Sequence, residues 1–381
     1  MSSFEKVVKL ANLISKEYFL CDNCLGRLFS NTLHLSSNKR LGKKLQKNKT
    51  NDNLYCYICK NFFSNLDYFL NLMINHSSEY HFSTFSVGIM VKPSIVDRDD
   101  HVRSKFKLKR IDSIKTDITK ELGKLFSKKT GKILEPLDPD LTFTIHLKDN
   151  ECYVRSKSII FSGRYVKLLR DVPQKQPSCQ NCSGKGCREC SYHGISQFNS
   201  VEGLISEFLF NIIGGTTAKF TWIGGEDKSS LVLGNGRPFF AKVQNPKKRK
   251  MPKSVINLNN IEISKLKIIS RLPTRPLRFY SSLRVMITSD EVDSASLKNL
   301  KSLTSQPIII YEKSGKRSVK HITSLKYSKK SDTEFLLLIQ AEGGFPVKRF
   351  VSGDEVCPNI SNLLNARCHC ERFDILGVEV K

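Results

Sequence analysis

The stretch WIGGEDKSSLVLGNGRPFF, residues 222–240, contains the features around which the rest of the chain is organised. Two glycines precede the acidic pair Glu226-Asp227, and a Gly-x-Gly-Arg-Pro-Phe segment follows it. Because glycine tolerates tight backbone geometry, we predict that Asp227 stands on a sharp loop between two strands. A carboxylate on such a loop can act as a nucleophile or a general base. The alternative is an ordinary β-turn with a solvated acidic pair, since glycine and aspartate are common turn residues.

The charge balance of the chain favours a polyanionic partner. Its 381 residues include 62 Lys and Arg against 36 Asp and Glu, a net charge of +26. Nucleic acid is the usual partner of such a field, with an anionic membrane as the competitor. No run approaches the ~18 apolar residues that a membrane span needs, and the N-terminus lacks the pattern of a secretory signal. We therefore expect a cytoplasmic protein of two or three domains that binds nucleic acid and no membrane.

Eight of the twelve cysteines occur in Cys-x-x-Cys pairs. In a cytosolic chain this spacing indicates a metal rather than disulfides, because two such pairs supply four thiolates for a tetrahedral zinc ion. Buried reduced cysteines are the alternative, and an iron–sulfur cluster at the second set lacks a positive signal. Only four residues separate the last two pairs, so ligand sharing or strain is a further possibility there. The predicted structural zinc ligands are Cys21, Cys24, Cys56, Cys59, Cys179, Cys182, Cys187 and Cys190.

Hydrophobic periodicity divides the chain into alternating helices and strands. Ser200 is a predicted N-cap of an amphipathic helix, which Gly214-Gly215 ends, and a strand over 218–222 leads into the opening stretch. Two basic segments, 39–49 and 245–253, are either RNA contacts or solvated loops, and the second could also be a nuclear-import-like patch. Other helices are predicted over 4–18, 61–74, 110–127 and 294–303, and other strands over 85–91, 141–147, 152–154, 283–287, 307–311, 334–339 and near 373–376.

Several motifs together resemble one enzyme family over nearly the whole chain. They are CDNCLGR at 21–27, GRY at 163–165 followed by RDVPQ at 170–174, and the CQNCSGKGCREC cluster at 179–190. SVEGLI at 200–205, the opening stretch and VKRFVSGD at 347–354 complete the set. In this order the motifs resemble the archaeal and eukaryotic tRNA pseudouridine-54/55 synthase family, which carries an N-terminal zinc and THUMP-containing module.

The resemblance implies an α+β protein in three parts. These are a zinc-knuckle helical region at 1–80, a THUMP-like RNA-binding domain at 81–176 and a mixed or antiparallel-sheet catalytic domain at 177–381. It also implies isomerisation of uridine 54 and/or 55 in the T-loop of tRNA, without a catalytic cofactor, by a chain that we expect to be a monomer.

The same resemblance assigns roles to individual residues. Asp227 takes the place of the family's nucleophile, and Lys348 matches a basic position that pairs with it and keeps it ionised. Arg237 either braces the loop or binds a phosphate. Tyr280 and Phe345 are the aromatic candidates for stacking on the flipped base.

The chain also departs from the family pattern around the predicted nucleophile. Gly225 stands where the family usually has arginine, and Ser229-Ser230-Leu231 stands where an Asp-Val-Arg run is usual. By position, the two pocket tyrosines of the family fall near Leu283 and Pro346. A non-catalytic tRNA-binding or chaperone protein on the same scaffold is therefore the alternative, and a THUMP-bearing modifier with other chemistry is a third hypothesis.

Overall fold

The structure is a computed structural model that describes residues 3–33, 37–46, 55–250, 256–312 and 314–381. The chain divides into two compact units, Met1–Lys157 and Ser158–Lys381. Both combine helices with sheets, which confirms the predicted α+β class. None of the described helices is long and apolar enough to cross a membrane.

The described residues form ten α-helices, three 3-10 segments and sixteen strands. The helices are α1 Ser3–Glu17, α2 Asp22–Arg27, α3 Ser30–Leu33, α4 Asn38–Leu45, α5 Leu66–Ser77, α6 Pro93–Lys105, α7 Ile114–Thr130, α8 Val201–Ile213, α9 Val347–Ser352 and α10 Ile360–Leu364. The 3-10 segments are Phe62–Asn65, Arg188–Cys190 and Ser296–Thr304. The strands are β1 Thr84–Met90, β2 Ile133–Leu134, β3 Leu141–His146, β4 Glu151–Ser156, β5 Ile159–Lys167, β6 Ala218–Trp222, β7 Val232–Val243, β8 Ile256–Leu258, β9 Ile261–Ile269, β10 Phe279–Ser289, β11 Ile308–Tyr311, β12 Arg317–Lys320, β13 Ile322–Lys329, β14 Glu334–Glu342, β15 Val356–Cys357 and β16 Cys368–Val380.

The N-terminal unit places the first cysteine pair, Cys21 and Cys24, at the start of α2, a short helix that packs closely against α4. A Cβ added to Gly26 of α2 would lie 1.8 Å from the carbonyl oxygen of Asn38, and one added to Gly42 of α4 would lie 1.9 Å from that of Asp22. Only glycine permits this approach of two backbones. The arginine of the same motif, Arg27, is fully buried.

Arg27 is held by acidic groups from α6 and α7. It pairs with Asp99, donates from Nη1 to the Asp112 carbonyl at 2.7 Å, and lies 4.0 Å from Asp117. Burial raises the pKa of Asp117 to about 6, against the lowering effect of Arg27. The arginine of the CDNCLGR motif therefore has a structural function, because a buried charge needs such partners.

A four-stranded sheet follows in the order β2-β1-β3-β4. β1 is parallel to β2 and β3, and β4 is antiparallel to β3. The strands predicted at 85–91, 141–147 and 152–154 are all present. Hydrophobic periodicity does not predict α6, because its polar residues outnumber its buried positions.

The C-terminal unit is built on a nine-stranded sheet in the order β13-β14-β10-β16-β7-β5-β9-β8, with β6 also paired to β7. Its pairs are antiparallel except β16 with β7. A smaller sheet has the order β12-β11-β15. Ser200 caps α8 by accepting from the Gly203 amide, and α8 ends at Gly214 in the left-handed region, as predicted.

The observed division into units differs from the predicted domain boundary at 176/177. β5 carries the GRY motif that we assigned to the end of the THUMP-like domain, but it pairs with β7 and β9 of the C-terminal sheet. Alternation of side chains is the same whichever sheet a strand joins, so the sequence could not place β5. The predicted boundary at 80/81 lies inside the N-terminal unit.

Two other predictions need qualification. The helix predicted at 294–303 is a 3-10 segment, Ser296–Thr304. The basic segments are described only in part, because 47–54 and 251–255 lie outside the described residues. The described part of the first is α4, whose cations Lys39, Arg40, Lys43 and Lys44 are exposed.

Candidate active site and metal centres

Asp227 lies on the loop between β6 and β7, as predicted. Gly224 precedes it at a φ of +81°, where a Cβ would lie 2.9 Å from the ring of Phe279 and 3.2 Å from the guanidinium of Arg237. Side chains are disfavoured in this region of φ, so glycine is required on both counts. Gly225 has open space around it instead, with no described atom beyond its two chain neighbours within 4 Å of an added Cβ. Of these two glycines, only Gly224 takes a positive φ.

The carboxylate of Asp227 is held by three donors. Nζ of Lys348, on α9, donates to Oδ2 at 2.6 Å. The amide and hydroxyl of Ser229 donate to Oδ1 at 3.1 and 2.9 Å. The Lys348 hydrogen bond, followed by those of Ser229, lowers the pKa of Asp227 to about 2. Its side chain remains 29% exposed, so an ionised and accessible carboxylate stands at the head of the loop.

The preceding residue, Glu226, points into the core. Its side chain is fully buried and lies 3.1 Å from Nζ of the equally buried Lys167. The hydroxyl of Tyr165 donates to Glu226 at 2.6 Å, and Nε of Arg237 lies 3.9 Å from it. Burial, together with the Glu226 charge, raises the pKa of Tyr165 well above its usual value. Glu226 therefore anchors the loop from below while Asp227 faces outward.

Lys167 also holds the backbone of the loop. Its ammonium donates to the carbonyls of Val172, Asp227 and Lys228 at 2.9, 3.4 and 3.2 Å. Lys167 is not among the site residues predicted from the sequence. A signal was available, because Lys167 has the same parity in β5 as the buried residues Phe161 and Tyr165.

Arg170 and Asp374 fix the far end of the loop. Arg170 forms two hydrogen bonds with the Asp374 carboxylate, at 2.7 and 3.1 Å, and also donates to the Ser229 carbonyl at 2.7 Å. Asp374 accepts from the Leu231 amide at 3.1 Å. Although burial opposes ionisation, the Arg170 and Leu231 hydrogen bonds lower the pKa of Asp374. These contacts hold the Ser229–Leu231 end of the loop in place.

The remaining predicted site residues have different surroundings. Arg237 is only 2% exposed and lies beneath the loop beside Glu226, which favours bracing over substrate contact. Phe345 packs edge-on against Phe350 at 4.8 Å between ring centroids. Tyr280 stacks with the Lys381 ammonium, 4.7 Å from its ring centroid.

The structure places the ring of Phe279 against Gly224 of the Asp227 loop. The same ring also packs on Gly343, where an added Cβ would lie 2.4 Å away. The Gly343 amide donates to the Phe279 carbonyl at 2.7 Å. The predicted residue is its neighbour Tyr280, because the two alternate in direction along β10 and periodicity alone does not show which one faces the loop.

The first four cysteines converge into one cluster. The sulfurs of Cys21, Cys24, Cys56 and Cys59 all lie within 4.8 Å of one another, and the Cys21 and Cys59 sulfurs are 3.7 Å apart. Three of the four residues are buried. Four sulfurs at this spacing fit the tetrahedral coordination of one metal ion.

Cys179, Cys182, Cys187 and Cys190 form a second cluster of the same kind. The tight connection is possible because Gly184 and Gly186 take positive φ values of 85° and 93°. Backbone amides of Cys187 and Gly194 donate to the Cys190 sulfur at 3.2 and 3.3 Å. Such donors favour a thiolate, which is the form that binds metal. Each cluster is complete by itself, so the two sets of cysteines do not share ligands.

Comparison with known proteins identifies the family. The profile described as "Pus10, C-terminal" matches residues 160–379, and the profile described as "Pus10 THUMP domain, archaeal" matches residues 69–146. A protein of Nitrosopumilus maritimus named tRNA pseudouridine synthase Pus10 is 59% identical over the full length of both chains. This chain belongs to the Pus10 family. The resemblance inferred from the motifs is therefore confirmed.

More distant members of the Pus10 family align over almost the same length. The protein of that name from Cenarchaeum symbiosum is 34% identical, covering 96% of this chain and 90% of its own. That from Methanocaldococcus jannaschii is 29% identical, covering 96% and 93%. The C-terminal Pus10 profile begins inside β5, in agreement with the pairing of that strand in the C-terminal sheet.

Proposed function

We propose that this chain isomerises uridine to pseudouridine in the T-loop of tRNA, at position 54, position 55 or both, with Asp227 as the nucleophile. The observation that carries the proposal is the Asp227 carboxylate, which is ionised by Lys348, oriented by Ser229 and still accessible. Family membership supplies the reaction class, and the net charge of +26 suits an RNA substrate.

The reaction is an isomerisation, so uridine and pseudouridine contain the same atoms and the same number of electrons. The N1–C1′ glycosidic bond of uridine breaks, the uracil rotates, and a C5–C1′ bond forms. C5 then loses its proton and N1 gains one. A carboxylate can assist by attacking the ribose or by accepting a proton, and both roles need an ionised Asp227.

Other parts of the chain support this work. A target base must leave its stack to reach Asp227. Phe279, which packs against Gly224, offers an aromatic surface next to the loop. The two cysteine clusters are proposed structural zinc sites in which Zn²⁺ would hold short loops together. A cytoplasmic monomer, with tRNA as its partner and no catalytic cofactor, completes the proposal.

The test is pseudouridine formation on tRNA transcripts, measured by mass spectrometry of the nucleosides. We expect product with wild-type protein and none with Asp227→Ala or Asp227→Asn. Asp332→Asn is the matched control, because Asp332 is a largely exposed aspartate of the same unit. Transcripts in which cytidine replaces the uridine at position 54 or at position 55 show which of the two uridines is modified. Undiminished product with Asp227→Ala would remove the nucleophile assignment, whereas tRNA binding without product in the wild type would favour the non-catalytic alternative.

A further inference from the structure

A strongly basic cavity includes Arg170 and Asp374, the two residues that hold one end of the Asp227 loop. It has a volume of about 280 Å³ and is formed on the β10, β14 and β16 part of the large sheet. Among the described residues, four cations and one carboxylate line it, on a floor of Met286 and Leu336. The charged lining residues are Arg170, Arg284, Lys330, Arg372 and Asp374.

The strand register explains why these groups converge. Arg284 is paired with Asp374, and the next outward position, Met286, is paired with Arg372. The residues between them, such as Val285, are buried in the core. Side chains two apart along a strand share a face, so one face of the sheet builds the core and the other builds the cavity.

Asp374 fixes the positions of two of the four cations, Arg170 and Arg284. It accepts from Arg170 at 2.7 and 3.1 Å and from Arg284 Nη2 at 3.2 Å. One carboxylate cannot neutralise two guanidinium groups, so the cavity keeps a positive charge while its arginines are held in place. Preorganised guanidinium groups are well suited to phosphate oxygens, which accept two parallel hydrogen bonds from one arginine.

The other two cations are available to a ligand. Lys330 is exposed, and among the described residues its ammonium has no carboxylate partner within ion-pair distance. Within the described part of the chain, the one ion pair of Arg372 is with the neighbouring Glu371, at 3.6 Å, and about half of each side chain is exposed. Exposed pairs of this kind contribute little energy, so Arg372 can turn to an anion at small cost.

We propose that this cavity binds a backbone phosphodiester of the RNA substrate, with Arg170 and Arg284 as the fixed ligands and Lys330 and Arg372 as the mobile ones. The proposal deepens the proposed function and rests on an RNA substrate. The cavity is tied to the reacting group, because Arg170 also donates to the Ser229 carbonyl and Ser229 donates to Asp227. A phosphate here sets the distance between the RNA backbone and the nucleophile.

The experiment compares full-length variants in the salt dependence of tRNA binding. Each phosphate contact contributes about 0.7 to 0.9 to the slope of log K against log salt. We expect Lys330→Gln/Arg372→Gln to lower the magnitude of this slope by roughly 0.7 to 0.9, because the cavity holds one phosphate, with an unchanged thermal midpoint because both side chains are exposed. Lys298→Gln/Lys301→Gln is the matched control, since it removes two exposed lysines of the same unit outside the cavity.

Two further arms separate the possible sources of phosphate. Arg372→Lys keeps the charge and is expected to keep most of the slope. Inorganic phosphate is expected to raise the thermal midpoint of the wild type no more than chloride at equal ionic strength. A phosphate-specific rise together with an unchanged slope in the double variant would mean a free-phosphate site and would overturn the proposal.

An unchanged slope in the double variant, or an equal loss in the control, would also overturn it. The binding slope does not depend on turnover. Product formation by the wild type, measured in parallel, therefore reports separately on the proposed isomerase activity.

Discussion

Nζ of Lys348 donates a hydrogen bond of 2.6 Å to Oδ2 of Asp227, although 121 positions separate the two residues in sequence. The lysine belongs to α9 and the aspartate to the loop between β6 and β7. The large sheet and its connections therefore assemble the charged pair. Since the ammonium stabilises the ionised carboxylate, the proposed nucleophile is ready for reaction without a separate deprotonation step.

Removal of the Lys348 ammonium is expected to slow pseudouridine formation. Loss of one well-placed electrostatic donor at an active site costs about 10²- to 10³-fold in rate, and we expect Lys348→Met to lie in this range. Lys348→Arg should retain more activity because it keeps a cation near Asp227. The measurement is single-turnover product formation, with Lys301→Met as the control for loss of an exposed lysine. Equal rates for Lys348→Met and wild type would refute a role for this pair.

Acidification is expected to remove the contribution of ionised Asp227 to the free energy of unfolding. The pKa of Asp227 is about 2 in the folded protein, below its ordinary value of 3.8, so the ionised group stabilises the fold. This contribution is complete above about pH 4 and is lost as the pH falls through about 2. The difference in unfolding free energy between wild type and Asp227→Asn should therefore be constant above pH 4 and shrink below it. Urea unfolding at a series of pH values measures this difference, and a difference that grew on acidification would contradict the assigned shift.

The buried Lys167 is expected to be essential for stability. Lys167→Met leaves the Glu226 carboxylate without its 3.1 Å partner, and breaking a buried ion pair costs about 3 to 5 kcal/mol. The double variant Lys167→Met/Glu226→Gln should recover part of the loss because it removes the orphaned charge. Lys228→Met, an exposed lysine of the same loop, is the control and should change stability by less than about 0.5 kcal/mol. Denaturant unfolding checks the three values, and a loss no larger than that of the control would exclude a structural role for the pair.

The metal proposal predicts two equivalents of zinc in each chain. Cys24→Ser and Cys182→Ser should each lower the content to about one, because the structure shows two separate four-sulfur clusters. Cys357→Ser, at an exposed cysteine outside both clusters, should leave two equivalents. Elemental analysis of purified protein gives the number directly. Less than one equivalent in the wild type would argue against both sites.

The glycine contact between α2 and α4 makes a further prediction. Gly26→Ala would bring a Cβ to 1.8 Å from a backbone oxygen, so the helices must separate at a cost of about 3 kcal/mol or more. Gly88→Ala is the matched control, since the nearest atom to its added Cβ is 3.6 Å away. Thermal unfolding of the two variants compares them, and equal midpoints would show that the contact is looser than described.

The sequence alone determined the local features of this protein. The Asp227 loop, the capped helix α8 and the Cys-x-x-Cys pairs follow from preferences that act within a few residues, such as glycine conformation, capping and ligand spacing. The ordered motifs also identified the family correctly. These signals are readable because each depends only on neighbours along the chain.

The tertiary structure alone decided which distant residues meet. It placed β5 in the C-terminal sheet and buried Lys167 beneath Glu226. It also packed Phe279 rather than Tyr280 against Gly224, and it paired Arg170 with Asp374, 204 positions away in sequence. Alternation along a strand gives the parity of a side chain but not the sheet, partner or face that it meets. The loop that carries Asp227 could therefore be predicted from local sequence, whereas the charged groups that hold this loop and ionise Asp227 depend on how the strands pair.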